Sequence, residues 1–203
     1  RVAIVGGTGM IGAAVSQALV ARGDQVIQVV RSRRETLGAQ IVWDAATSDG
    51  PADIFTECDA VINLAGAPIA QRWTDRAWQE IVASRVDLSR RVATACVRDR
   101  VPVLINGSAV GYYGAGEDAV DERSPAGAGR LADLCVEWGG ATEPAVAAGL
   151  RVVRLRTGVV LARSGGALAR MLLPARLGLG GPLGSGRQWF PWIHLADTVG
   201  LIL

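Results

Sequence analysis

Residues Val2–Gly12 read VAIVGGTGMIG, and the fold follows from this stretch. Val2–Val5 is an apolar run of strand character. It leads directly into Gly6-x-x-Gly9-x-x-Gly12, and an Ala/Leu-rich helical pattern continues from about Met10 to Arg22. A strand, a glycine turn and a helix in that order form a cradle for a dinucleotide pyrophosphate. Glycines let the chain turn sharply and let backbone N–H groups approach the phosphates. The helix N-terminus then presents unpaired N–H donors and the positive end of its dipole. Gly6, Gly9, Met10, Ile11 and Gly12 are therefore the first expected cofactor contacts.

Strand and helix patterns keep alternating beyond this turn. Strands are expected at Gln25–Val30, Ala39–Trp43, Ala60–Leu64, Pro102–Ile105 and Arg151–Val160. Helices are expected at about Thr74–Arg98, where Trp78, Ile81, Val82, Val86, Leu88 and Val92 recur at helical spacing, and at about Arg130–Ala148. Gly178–Gly186 is a Gly/Pro-rich loop, and Asp197 suits the N-cap of a last helix, Thr198–Leu203. Repeated βα units predict an α/β chain with a doubly wound parallel sheet and helices on both faces.

Composition narrows the function classes. The chain has 203 residues, half of them hydrophobic, enough for one α/β domain with a substantial core. A net charge of +2 gives no argument for nucleic acid or an anionic membrane as partner, and a small-molecule substrate is expected instead. No apolar run approaches the roughly 18 residues of a membrane span, and no leader precedes the first strand, so a cytoplasmic location is expected. The three cysteines, Cys58, Cys96 and Cys135, show no paired spacing, and a single histidine argues against a metal site. All 21 basic residues are arginine, and Tyr112 and Tyr113 are the only tyrosines.

The end of the second strand decides which dinucleotide fits. A carboxylate there would bind the ribose hydroxyl of NAD, but the chain has Arg31, Ser32, Arg33 and Arg34, with no carboxylate before Glu35. Guanidinium groups bind a 2′-phosphate through charge-assisted hydrogen bonds, so NADP is the expected cofactor. A solvated basic turn is the alternative. Asp44, closing the third strand, is placed to accept from an adenine amino group or simply to close a turn. Leu64, Ala65 and Gly66, after the fourth strand, are small enough for a cofactor to lie across the sheet edge there, or for close helix–strand packing.

Gly6–Gly12, Asn63-Leu64-Ala65-Gly66, Ser108-Ala109-Val110-Gly111-Tyr112-Tyr113-Gly114 and Arg156–Leu161 occur in the order seen in extended short-chain dehydrogenase/reductases. Together with residues 177–195, they resemble the atypical branch of sugar-nucleotide-epimerase-like proteins that includes the bacterial YfcH-like family. The resemblance covers the whole chain. It implies a Rossmann domain over 1–203, NADP binding, an oxidoreductase or epimerase role, and a substrate-side contribution from 162–193. Members of that branch continue into a small substrate-binding portion, which the resemblance implies is largely missing here. Relatives of this fold often pair through their long helices, which leaves a homodimer open.

The resemblance also implies a catalytic Ser or Thr followed by Tyr-x-x-x-Lys. The tyrosine exchanges a proton with the substrate, and the lysine assists it and holds the nicotinamide ribose. Ser108 occupies the serine position, with a hydroxyl satisfying a strand-end backbone group as the alternative role. The Tyr–Lys pair cannot exist in a chain without lysine, and Leu131 and Cys135 fall at its two positions. Tyr112 and Tyr113 are the remaining candidates for proton transfer, with loop packing as the alternative role. Arg187 and Gln188 suit a substrate phosphate or carboxylate. Arg154 and Arg156 read as sheet-end structural pairs, His194 as a structural histidine, and the acidic residues at 117–122 as a solvated loop.

Overall fold

The computed structural model describes residues 1–45, 47–163, 165–182, 186 and 189–203. The strands β1 (Val2–Val5), β2 (Val26–Val30), β3 (Ala39–Val42), β4 (Ala60–Asn63), β5 (Val103–Ala109) and β6 (Arg151–Thr157) form one six-stranded sheet in the order β3-β2-β1-β4-β5-β6. Every neighbouring pair is parallel. The order reverses between β1 and β4, so the expected doubly wound sheet has its switch point beside the glycine turn.

Both faces of this sheet are covered, which is why its inner strands are apolar without alternation. On β1, Ala3 and Val5 pack into a core with Phe55, Val92, Cys96 and Leu104. Ile4 points the other way, against Val15 and Leu19 of α1 (Met10–Arg22) and Ile202 of α7 (Leu195–Ile202). Each fully buried Val, Leu or Ile contributes about 1.5–3 kcal/mol.

The expected elements differ in five places. The Thr74–Arg98 helix is two, α2 (Asp75–Ala83) and α3 (Val86–Arg98). At the break, the Ser84 hydroxyl donates to the Ile81 carbonyl and accepts from the Ala67 N–H of the β4 loop. The Arg130–Ala148 helix likewise divides into α4 (Arg130–Gly140) and α5 (Glu143–Ala147), because Pro144 has no N–H to continue the ladder. The sixth strand ends at Thr157. β7 (Val159–Ala162) leaves for a separate two-stranded parallel sheet with β8 (Trp192–His194). Between them lies α6 (Gly166–Arg176), a helix that no pattern announced because it opens on glycine and contains Pro174. Finally, α7 starts earlier than expected. Its cap is His194, whose Nδ1 accepts from the Ala196 N–H, and Asp197 lies in the first turn instead.

Candidate functional site

The three glycines of the β1–α1 turn have separable roles. Gly6 adopts φ +87°, and a Cβ there would sit 2.7 Å from the Ala65 nitrogen, so the turn and the β4 loop touch backbone to backbone. Gly12 lies against the turn from inside α1, where a Cβ would be 2.7 Å from the Gly7 Cα. At Gly9, the N-cap of α1, a Cβ would meet only the Gly6 carbonyl, at 3.4 Å. Gly9 offers no side-chain cap, and the first turn of α1 holds no acidic residue. Its N–H donors are therefore uncompensated from within the helix, the condition for binding an anion. Beneath the turn, buried Gln28 of β2 donates through Nε2 to the Ser16 hydroxyl at 2.7 Å, and Ser16 donates to the Gly12 carbonyl at 2.7 Å. This polar prop was not among the expected residues, although a glutamine inside the strand VIQVV was its visible signal.

A cleft of about 420 Å³ opens at this point. Of the residues expected to meet the cofactor, Gly6, Gly9, Arg31, Asp44, Leu64, Ala65 and Gly66 line it, together with Thr8, Arg34, Trp43 and Ser84. Ser32 and Arg33, also expected to meet the cofactor, are not among the lining residues. Met10, Ile11 and Gly12 lie outside the lining as well. Met10 instead packs toward Gly166 at the start of α6, where a Cβ would come within 3.1 Å of its Cε. Asp44 closes a turn with its carbonyl, which accepts from Thr47 N–H at 3.0 Å.

The β4 loop is held by a buried polar network. Asn63 donates to the Ser89 hydroxyl at 3.0 Å and to the Asn106 side-chain oxygen at 2.7 Å, and its own side-chain oxygen faces the Ala65 N–H at 3.4 Å. Trp138 of α4 donates to the same Ser89 hydroxyl at 2.9 Å. The ends of β4 and β5 are thereby fixed relative to α3 and α4.

On the far side of the switch point, Ser108 is buried near the end of β5, in register with Arg156 of β6. Tyr112 and Tyr113 follow in a 3-10 turn, Val110–Tyr113. Arg156 is more than the sheet-end pair expected of it. Its guanidinium lies 3.7 Å from the Tyr112 ring centroid, and Nη1 donates to the Tyr113 hydroxyl at 2.8 Å. Arg154 behaves as expected, bridging Thr142 and Glu143. Because the Tyr113 oxygen accepts from Arg156, its own proton points elsewhere. Tyr113 lines a second, larger cavity of about 860 Å³, walled by Trp73, Val120, Leu131, Trp189 and Phe190, with Arg130 and Asp118 among its polar groups. Tyr112 is not part of that wall. Arg187 and Gln188 lie outside the described residues.

Leu131 and Cys135 sit on α4 beside this turn: a Cβ on Gly111 would be 3.6 Å from the Leu131 Cβ and 3.8 Å from the Cys135 Sγ. Burial pushes the Cys135 thiol up, opposed by a backbone hydrogen bond with Ala109 and by the charges of Arg85 and Arg156. A raised thiol is a packing group rather than a ready nucleophile. Cys96, on α3, is raised by burial in the same way. Among the described residues no group of His, Cys, Asp and Glu could hold a metal ion, and no helix is long and apolar enough to cross a membrane.

A parallel sheet in this strand order, with a glycine turn and a lined cleft at its switch point, defines the dinucleotide-binding class of α/β fold. More narrowly, the chain belongs to the NAD dependent epimerase/dehydratase family, whose model matches residues 2–203. Epimerase family protein Mb2239 of Mycobacterium bovis is 44% identical over 200 residues, which cover 98% of this chain and 66% of that protein. Human epimerase family protein SDR39U1 is 41% identical over 211 residues, 100% of this chain and 69% of that protein. The crystal structure of its isoform 2 with NADPH matches with a TM-score of 0.84 at 39% identity, over 100% of this chain and 68% of that one. A nucleoside-diphosphate sugar epimerase from Corynebacterium glutamicum matches with a TM-score of 0.85 at 35% identity, over 99% of this chain and 42% of that one. These relatives carry the resemblance expected from the motifs, and the chain spans about two thirds of the length of the curated ones.

Proposed function

We propose that the chain binds NADP at the switch-point cleft and belongs to an oxidoreductase or epimerase-like enzyme acting on a small carbonyl or sugar-type substrate. The observation that carries the reading is that Arg31 and Arg34 line the same cleft as Gly6, Gly9 and Gly66. The residues fit the cofactor. The uncapped N-terminus of α1 suits the pyrophosphate, the arginines suit a 2′-phosphate, and the bare edge at Gly9 leaves room for close approach. The NADPH in the human relative's crystal structure supports the same choice. When bound, NADPH supplies a hydride.

The chain's own side chains have the remaining tasks. Ser108 holds the substrate oxygen. Tyr113, its oxygen fixed by Arg156, donates its proton toward the larger cavity, where the substrate sits. Tyr112 stacks on Arg156 and orients it. Residues 162–193 contribute the aromatic part of the substrate side through Trp189 and Phe190, with Arg187 and Gln188 as further substrate contacts. A cytoplasmic location and a homodimer belong to the same reading.

A second reading, a catalytically silent NADP-binding sensor or scaffold, is favoured by one observation: Leu131 and a raised Cys135 thiol stand where the resemblance expects tyrosine and lysine. Incubation with NADPH and a panel of aldehydes, ketones and sugar nucleotides, followed at the nicotinamide absorbance band, separates the two. The enzyme reading predicts substrate-dependent loss of absorbance for a reductase, or a new epimer without net loss for an epimerase, and either rate falls about 100-fold in Tyr113→Phe while NADPH affinity is kept. NADPH binding with no consumption across the panel, and no conversion of any sugar nucleotide to its epimer in the presence of NADP, would establish the silent reading.

A further inference from the structure

We propose that Arg85 is the fixed cation on the nicotinamide side of the cleft, hydrogen-bonding the ribose hydroxyls and phosphate oxygens there in place of the absent lysine. This rests on the cofactor reading above. Arg85 follows the α2–α3 break, and its neighbour Ser84 lines the cleft. Its guanidinium lies against Gly66, another lining residue: the Cβ that Gly66 lacks would sit 3.2 Å from the Arg85 Cζ and 3.3 Å from each terminal nitrogen. The glycine thus leaves the space in which the guanidinium lies directly behind a residue of the cleft wall, Arg85 itself not being among the lining residues.

The donors of Arg85 are under-used. Nη1 donates to the Ile81 carbonyl at 3.3 Å and toward the Ser84 hydroxyl at 3.5 Å. The group also lies 5.3 Å from the Trp138 ring centroid. Among the described residues it has no carboxylate partner within ion-pair distance, and Nε and Nη2 have no hydrogen-bond acceptor. Five N–H donors on a guanidinium are too many for two weak acceptors. Half-burial lowers the pKa of Arg85, yet an arginine remains charged at neutral pH. A half-buried cation without a counter-charge is costly unless a ligand supplies one.

Its position identifies which half of the cofactor it meets. Arg31 ends β2, on one side of β1. Arg85 packs on the loop after β4 and on Trp138 of α4, beside β5, on the other side of the switch point. The two arginines therefore flank the glycine turn, one toward the adenosine half and the other toward the nicotinamide half. The charge of Arg85 also acts on Cys135, the position where the resemblance places the lysine. A cation at the N-cap of α3 thus stands in for one missing from α4.

The test dissects the cofactor. Wild type, Arg85→Gln, Arg85→Met and Arg31→Ala are titrated with NADPH and with 2′,5′-ADP, which carries the 2′-phosphate but no nicotinamide ribose. Arg85→Gln is expected to weaken NADPH about tenfold or more and leave 2′,5′-ADP within about twofold, whereas Arg31→Ala weakens both. Arg85→Met, which keeps an apolar stem over Trp138, should behave like Arg85→Gln, and decides the matter if the glutamine variant does not fold. Either folded variant binding NADPH as wild type does, or losing both ligands equally, overturns the proposal. Wild type binding neither ligand overturns the cofactor reading itself, and the role of Arg85 with it.

Discussion

At the β1–α1 turn the site is made of main chain. Gly6, Gly9 and Gly12 present N–H groups and empty space, and only the prop from Gln28 and Ser16 beneath them is side chain. At the β5–α4 end the site is made of side chains: Arg156 on two tyrosines, Arg85 over Trp138, and Cys135 within the influence of both guanidinium charges. A main-chain site constrains the sequence tightly, because only glycine fits where a Cβ would strike backbone. A side-chain site can be rebuilt with other residues, provided charge and volume are kept. The comparison shows why one end of this molecule is easily recognised while the other is well packed without Tyr-x-x-x-Lys.

The strongest way to break this contrast is to restore what the resemblance expects. Cys135→Lys would bury an ammonium beside two arginines, and should destabilise the fold by about 3–5 kcal/mol in a urea melt. A lysine variant as stable as wild type would mean that the α4 end is an ordinary lysine site with its residue removed, and that Arg85 and Arg156 have not taken over its charge.

The glycines sharpen the other half. Gly6→Ala combines a positive φ with a Cβ 2.7 Å from the Ala65 nitrogen, so it should cost about 3 kcal/mol of stability and abolish tight NADPH binding. Gly9→Ala has φ −74° and no close backbone clash, so it should melt within about 0.5 kcal/mol of wild type yet bind NADPH about tenfold more weakly. Thermal melts and NADPH titration of the pair check this. Equal behaviour of the two variants would remove the distinction between the turn's structural glycine and its ligand-facing one.

How much of this could be read in advance follows the same division. The alternating strands and helices, the glycine turn, the basic end of β2 at Arg31 and the small residues of the β4 loop were legible because period, turn chemistry and a basic strand end are local signals. The breaks at Ser84 and Pro144 were not recovered. Pro144 was a local cue, but the first break depends on the Ser84 hydroxyl meeting Ala67 from another element. Arg156 could be placed on a strand from its alternation, but its grip on Tyr113 exists only because the 3-10 turn folds the tyrosines back over β6. Met10 and Gly12 were expected at the phosphates from the motif alone. In the fold, the Met10 side chain packs toward α6 and Gly12 supports the turn from within, while the backbone N–H groups of this first turn stay at the N-terminus of α1, where the motif expects the phosphates. His194 rather than Asp197 caps α7, since the helix begins where β8 ends and the first side chain with an acceptor in reach takes the Ala196 N–H.

The central claim is that the switch-point cleft is an NADP site set by Arg31. Fluorescence titration with NADPH and NADH tests it most directly. The account predicts that NADPH binds at least about tenfold more tightly than NADH, and that the difference disappears in Arg31→Ala. Equal affinities in the wild type, or tighter binding of NADH, would contradict it.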